Sequence, residues 1–159
     1  MLPDIHKVDW WSRYPVIYKN SSEMVTDKAV HLRSGRDVTI FASGSVVFQS
    51  LAAADLLAKI GVSTSVWDMH TIKPLDENAV KIAASETSLI VGVEEHNVMG
   101  GLSSAISECL SGYRNNTKFV PIGVNDVFLK PGSYDYMLRQ SGLDPESISS
   151  KILGALNIE

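Results

Sequence analysis

A chain of 159 residues suits one ordinary domain, at roughly 100–200 residues per domain. With 45% hydrophobic and 20% charged residues it has globular composition, which excludes disorder, collagen and coiled coil for its bulk. Fourteen basic against eighteen acidic residues leave a net charge of -4, and so no electrostatic footprint for nucleic acid.

One cysteine, Cys109, cannot form an intramolecular disulfide, which argues against an extracellular disulfide scaffold and suits a reducing cytosol. No apolar run approaches the about 20 residues that span a bilayer. The first ten residues also lack the apolar stretch of a signal peptide. A cytoplasmic location without membrane contact is the expectation.

Residues 1–23 carry Pro3, Trp10, Trp11, Tyr14, Pro15 and Tyr18 among polar residues without a helical or strand period. They read as an aromatic-rich arm, packed either on its own domain or on a partner, because aromatic rings are enriched at interfaces. The domain proper is expected over 24–159. Met24 to Leu32 alternates weakly, as an edge strand does, and Ser34-Gly35 forms a turn.

From there short apolar runs alternate with helical patterns. Asp37 to Ala42 is a β-branched strand, and Val47, Leu51, Ala54 and Ala58 fall at helical spacing until Gly61 ends the helix. Val62 to Met69 gives another strand, and Asp76 is placed to cap a helix that turns Ala79, Val80, Ala83 and Ala84 inward. Ser88 to Glu94 is a further strand. Leu102, Ala105, Ile106, Cys109 and Leu110 then lie on one helical face. Lys118 to Ile122 closes the series, with Pro121 favouring an edge or a strand end. Two helices finish the chain, around Tyr134 to Gln140 and after Asp144-Pro145, where Asp at the cap and Pro at the first helical position start a helix. Such alternation predicts right-handed βαβ crossovers and a largely parallel sheet with helices on both faces.

Ligands of such sheets bind beyond the carboxyl ends of the strands, which directs attention to four loops. Glu94, Glu95, His96, Gly100 and Gly101 make the loop after the Ser88 strand the densest in chemistry. Gly100-Gly101 at a helix start leaves amides open to an anion, or serves only a tight turn and a close helix approach. Ser43, Gly44 and Ser45 offer a second anion turn, or a simple helix cap.

His96 beside two glutamates is a candidate acid/base or metal ligand. A metal, however, needs three or four ligands, and only Asp68 and His70 offer further ones. On the apolar face of its helix Cys109 behaves as a small hydrophobe rather than a nucleophile. Gly-x-Gly-x-x-Gly after the first strand, a Walker loop and a Gly-x-Ser-x-Gly elbow are all missing from the sequence.

The loops also carry a resemblance. Gly35 to Gly44, the alanine-rich Leu51 to Leu57, Asp68 to Asp76 with its Thr71-Ile72-Lys73-Pro74-Leu75-Asp76 string, Val93 to Leu102 with Glu94-Glu95-His96 and Gly100-Gly101-Leu102, and Ile122 to Asp126 occur in that order. Together they resemble the C-terminal domain of transketolase-like thiamine-diphosphate enzymes over about residues 24 to 153.

The resemblance implies a three-layer α/β/α domain on a five-stranded, mostly parallel mixed sheet whose first strand is antiparallel. It also implies a parent transferase of pentose phosphate metabolism that moves a two-carbon ketol unit between sugar phosphates. In that family thiamine diphosphate and magnesium are held by other domains; Gly-Asp-Gly, which opens their motif, is absent here, and Asn115-Asn116 is no substitute. No catalytic, cofactor-binding or metal residue is therefore assigned to this chain.

The implied role is a non-catalytic assembly or regulatory domain, inactive alone. It would pack on pyrimidine-binding and diphosphate-binding domains in an oligomeric parent, through the Glu94 to Gly101 loop, with residues 1–23 as the connector. The alternatives are a free-standing anion or small-ligand module, and the same domain of deoxyxylulose-phosphate synthase or of a 2-oxo-acid dehydrogenase β subunit.

Overall fold

The computed structural model describes residues 17–18, 24–113 and 116–158; Trp10, Trp11 and Tyr14 of the arm lie outside them. Five strands, β1 (Val30–Arg33), β2 (Val38–Ser43), β3 (Thr64–Asp68), β4 (Leu89–Asn97) and β5 (Lys118–Val124), form one sheet in the order β1-β3-β2-β4-β5. β1 runs antiparallel to β3, and all other pairs are parallel. The mixed sheet is the one expected.

Helices α1 (Val46–Lys59), α2 (Glu77–Glu86) and α3 (Leu102–Ser111) are the crossovers, followed by α4 (Tyr134–Ser141) and α5 (Pro145–Leu156). Side chains along a strand alternate between faces. On one face Val38, Ile40, Ala42, Leu89, Val91 and Val93 pack with Ala53 and Leu57 of α1 and Ile148 and Ile152 of α5. On the other, Phe41, Ile90 and Met69 meet Val80 and Ala83 of α2 and Leu102 and Ile106 of α3. The result is three layers around the sheet. Each fully buried Ile, Leu or Phe contributes about 1.5–3 kcal/mol, so these two cores, rather than any staple, hold the domain.

Several start and stop signals act as read. Asp76 accepts from the Ala79 amide at 3.1 Å, and Asp144 from the Ser147 amide at 3.0 Å, with Pro145 in the first helical turn. Gly61 follows α1 with φ +86, a left-handed conformation that glycine adopts without strain. Pro121 lies on β5, which among the described residues pairs only with β4 and so is an edge.

Several boundaries and one cap differ. The edge strand is shorter than Met24 to Leu32, because only Val30 onward pairs with β3. β4 runs three residues past Glu94 because Asn97 still pairs with Val124 across a register shift. Ser45 occupies the cap position of α1, yet its hydroxyl does not cap the helix.

Candidate functional site at the carboxyl edge

Three strand ends converge. Ser43, Gly44 and Ser45 after β2, Ile72 after β3, and Glu94, Glu95, His96, Gly100 and Gly101 from β4 line one open cleft of about 370 Å³. All eight residues singled out in the two loops thus face a common space. A larger cleft of about 520 Å³ adjoins it through Ile72, Gly100 and Gly101, and reaches Cys109 along α3.

Glu94 decides what the cleft is. By the period of two in β4 it falls on the face of Ile90 and Gly92, which is the face α3 covers. Its side chain is 1% exposed. The Leu102 amide donates to its Oε2 at 2.7 Å and the Ser103 amide to Oε1 at 2.9 Å. A carboxylate so placed satisfies two of the free amides of the helix start and lies at the positive end of the helix dipole. The Gly100 amide donates to Ser104 Oγ at 2.8 Å. The anion cradle read from Gly100-Gly101 is therefore already filled from within.

Glycine is needed at 101 for this reason. A Cβ there would overlap the Glu94 carboxyl group, lying 2.9 Å from its Cδ, and would stand 3.0 Å from His96 Nδ1. Gly92 has a related role deeper in the sheet, where a Cβ would press on Ser103 Oγ at 3.1 Å. Both glycines serve the close approach of α3 to the sheet.

Glu95, by contrast, points outward. Its Oε2 accepts from Ser45 Oγ and, at 2.7 Å, from the Tyr134 hydroxyl. It ties the β2 loop to α4. The Ser43 to Ser45 turn thus donates to a carboxylate of its own chain, and among the described residues no lysine or arginine lines this cleft. Both facts weigh against an anion turn.

His96 is exposed; its Nδ1–H donates to the Asn97 carbonyl at 2.9 Å, and Nδ1 stands 4.0 Å from Glu94 Oε2. Among the described residues no group of three or more His, Cys, Asp or Glu is placed to hold a metal ion. Burial pushes the Cys109 thiol above its ordinary pKa, with the Glu77 charge adding to it and Lys81 opposing, so the nucleophilic thiolate is disfavoured.

Asp68, at the end of β3, is 5% exposed. Its Oδ2 accepts from the Tyr18 hydroxyl at 2.5 Å. Burial raises its pKa, opposed by the Tyr18 hydrogen bond and the His70 charge. Ile17 packs against the α1-side core. The described end of the arm is therefore tied to this domain, at the sheet edge that carries the cleft.

The sequence marks Asp68 only as a spare metal ligand, so its bond to the arm is a finding of the structure. The same edge carries apolar side chains without cover: Ile72 and Met99, Val127 and a fully exposed Phe128 after β5.

Comparison with known proteins agrees with this architecture. The family described as "Transketolase, C-terminal domain" matches residues 27–148. The chain is 40% identical over 132 residues to the 6-deoxy-6-sulfo-D-fructose transketolase subunit SqwH of Clostridium sp. (strain MSTE9), covering 83% of this chain and 41% of that protein. It is 33% identical over 148 residues to the 1-deoxy-D-xylulose-5-phosphate synthase of Chlorobaculum tepidum, covering 89% and 23%.

A solved structure described as a split gene transketolase, inactive beta4 tetramer, superposes with a TM-score of 0.81 at 33% identity, covering 91% of this chain and 46% of that one. The chain thus spans less than half the length of these relatives. With the family's match extending from β1 into α5 and the same fold in a split transketolase, the chain belongs to the transketolase C-terminal domain family.

Proposed function

We propose that this chain is the C-terminal, non-catalytic assembly or regulatory portion of a thiamine-diphosphate-dependent transketolase, which moves a two-carbon ketol unit between sugar phosphates. The observation that carries this reading is the state of the carboxyl edge. Where a sheet of this class holds its ligands, the helix start is closed by Glu94, and the rim presents Ile72, Met99, Val127 and Phe128 to solvent. A helix start closed by its own carboxylate and a rim of apolar side chains suit a protein surface better than a small anion.

The residues present do not fit thiamine diphosphate and its metal. A diphosphate needs free amides or cations, and magnesium needs carboxylate or carbonyl oxygens in an octahedral shell. At the start of α3 the Leu102 and Ser103 amides are paired with Glu94, and among the described residues no lysine or arginine lines the cleft. No reaction step is therefore assigned to any residue of this chain, and the cofactor belongs with the remainder of the enzyme.

The partners of this reading are the pyrimidine-binding and diphosphate-binding portions of the transketolase, approached through the Glu94 to Gly101 loop and its apolar rim. Residues 1–23 serve as the connector, and the bond from Tyr18 to Asp68 supports an entry at that edge. Relatives named as separate transketolase subunits support a partner subunit. The likeness to 1-deoxy-D-xylulose-5-phosphate synthase supports a second parent reaction for the same domain.

The test is a two-carbon transfer assay on the chain alone, with a ketose phosphate donor, an aldose phosphate acceptor, thiamine diphosphate and magnesium. No turnover above the protein-free control is expected, and turnover that follows the chain through purification overturns the proposal.

A further inference from the structure

A groove of about 370 Å³ runs between β1 and α1, and shares no residue with the two clefts at the carboxyl edge. Leu32 of β1 and Phe48, Leu51, Ala52 and Asp55 of α1 line it, together with Ile17 of the arm. The four α1 positions fall at i, i+3, i+4 and i+7, one stripe of the helix and about 10 Å long at roughly 1.5 Å per residue. Ile17, Leu32 and Leu51 also pack against the α1-side core. Asp55 accepts from Arg33 Nη1 at 2.5 Å, so the charged end of the groove is paired and the remaining lining is apolar.

The path of the chain indicates what belongs there. Ile17 is the first described residue of the arm, and it lines this groove while its neighbour Tyr18 is held by Asp68 at the carboxyl edge. The residues before Ile17 therefore set out from inside the groove. Three residues reach at most about 10–11 Å and six about 20–22 Å, so Tyr14 can span the stripe and Trp11 can pass its far end. The stretch Trp11-Ser12-Arg13-Tyr14-Pro15-Val16 brings two large aromatic rings, a proline and a valine, and rings of that size gain most from an apolar seat. A segment tethered so closely meets the groove at an effective concentration of about millimolar, which a separate protein would have to outcompete.

We propose that the aromatic arm of this chain, Trp11 to Val16, seats in the groove between β1 and α1 of its own domain and clasps the connector along α1. A second copy of the chain and a separate partner are the competing occupants. Nothing in this proposal depends on the assembly role of the carboxyl edge.

The experiment places a nitroxide spin label on Ser12→Cys in a Cys109→Ser background, which leaves the two aromatic rings in place, and reads paramagnetic broadening in ¹H–¹⁵N NMR spectra of the full chain. Several-fold stronger broadening is expected at the amides of Leu32, Leu51, Ala52 and Asp55 than at those of Ile72, Met99 and Phe128. Ala52→Arg puts a long charged side chain in the groove while keeping a good helix former, and should abolish that contrast.

Should Ala52→Arg not fold, the pattern in the otherwise unaltered chain decides the matter. Broadening spread evenly over both surfaces, broadening strongest at the carboxyl edge, or a pattern unchanged by a folded Ala52→Arg would each overturn the proposal. So would the same broadening in an unlabelled, ¹⁵N-enriched chain mixed with spin-labelled chain at natural abundance, since the arm would then seat on a second copy.

Discussion

Glu94→Ala is the most informative single change, because one side chain closes the start of α3. Both amides it accepts, from Leu102 at 2.7 Å and Ser103 at 2.9 Å, belong to residues that are 0% and 2% exposed. Removing the carboxylate leaves two buried donors without an acceptor, at about 1–3 kcal/mol each. Loss of a helix cap by itself costs about 1 kcal/mol. The cap loss is those same two bonds, so the variant should lose about 2–6 kcal/mol, a large share of the roughly 5–15 kcal/mol that holds an ordinary domain.

At about 2–4 °C per kcal/mol for a chain of this size, the melting temperature should fall by about 4–24 °C. Glu94→Gln keeps the shape and one acceptor oxygen, so a loss of about 1–2 kcal/mol is expected. Urea unfolding followed by circular dichroism at neutral pH measures both. A Glu94→Ala midpoint within about 0.5 kcal/mol of the parent would show that the amides find other acceptors, and would reopen the helix start to external anions.

Gly101→Ala should reproduce most of the Glu94→Ala loss, since the added methyl meets the Glu94 carboxyl group; the double variant should cost clearly less than the sum, and strict additivity would sink the shared cause. Asp68→Asn should remove a pH dependence. The folded pKa of Asp68 is raised, so the native state binds the proton more strongly, and stability falls as pH rises from about 4 through the raised value and stays lower above it. Urea midpoints between pH 4 and 7 should therefore decline more in the parent than in Asp68→Asn; parallel curves would count against it. Phe128→Ser should leave the urea midpoint within about 0.5 kcal/mol, because the ring is fully exposed, while lowering any self-association seen by sedimentation velocity; a large stability loss would mean that the ring is packed.

Much of the architecture was legible from period and punctuation. The alternation in β2 and β4 and the caps at Asp76 and Asp144 follow from local chemistry, and the structure keeps them. The cleft was legible as well, because the rule that strand ends host ligands puts the Ser43 and Glu94 loops on one edge of the sheet.

What each residue does there was less so. Glu94 stood out as a charge beside a histidine, yet its carboxylate faces inward and pairs with amides eight and nine residues ahead in the chain. The signal was present in the strand period, which puts residue 94 on the same face as Ile90 and Gly92. Tyr134 reaching Glu95, and Tyr18 reaching Asp68, join residues 39 and 50 positions apart. Such pairs depend on how loops close in space, and no local pattern encodes them.

The central claim is that the chemistry lies outside this chain. Isothermal titration calorimetry of the chain with thiamine diphosphate in the presence of magnesium tests it most directly. Heats indistinguishable from dilution, up to millimolar cofactor, are the predicted result. A saturable binding isotherm, weakened by substitution of Glu94 or Gly101, would place cofactor recognition on this domain and overturn the assembly reading.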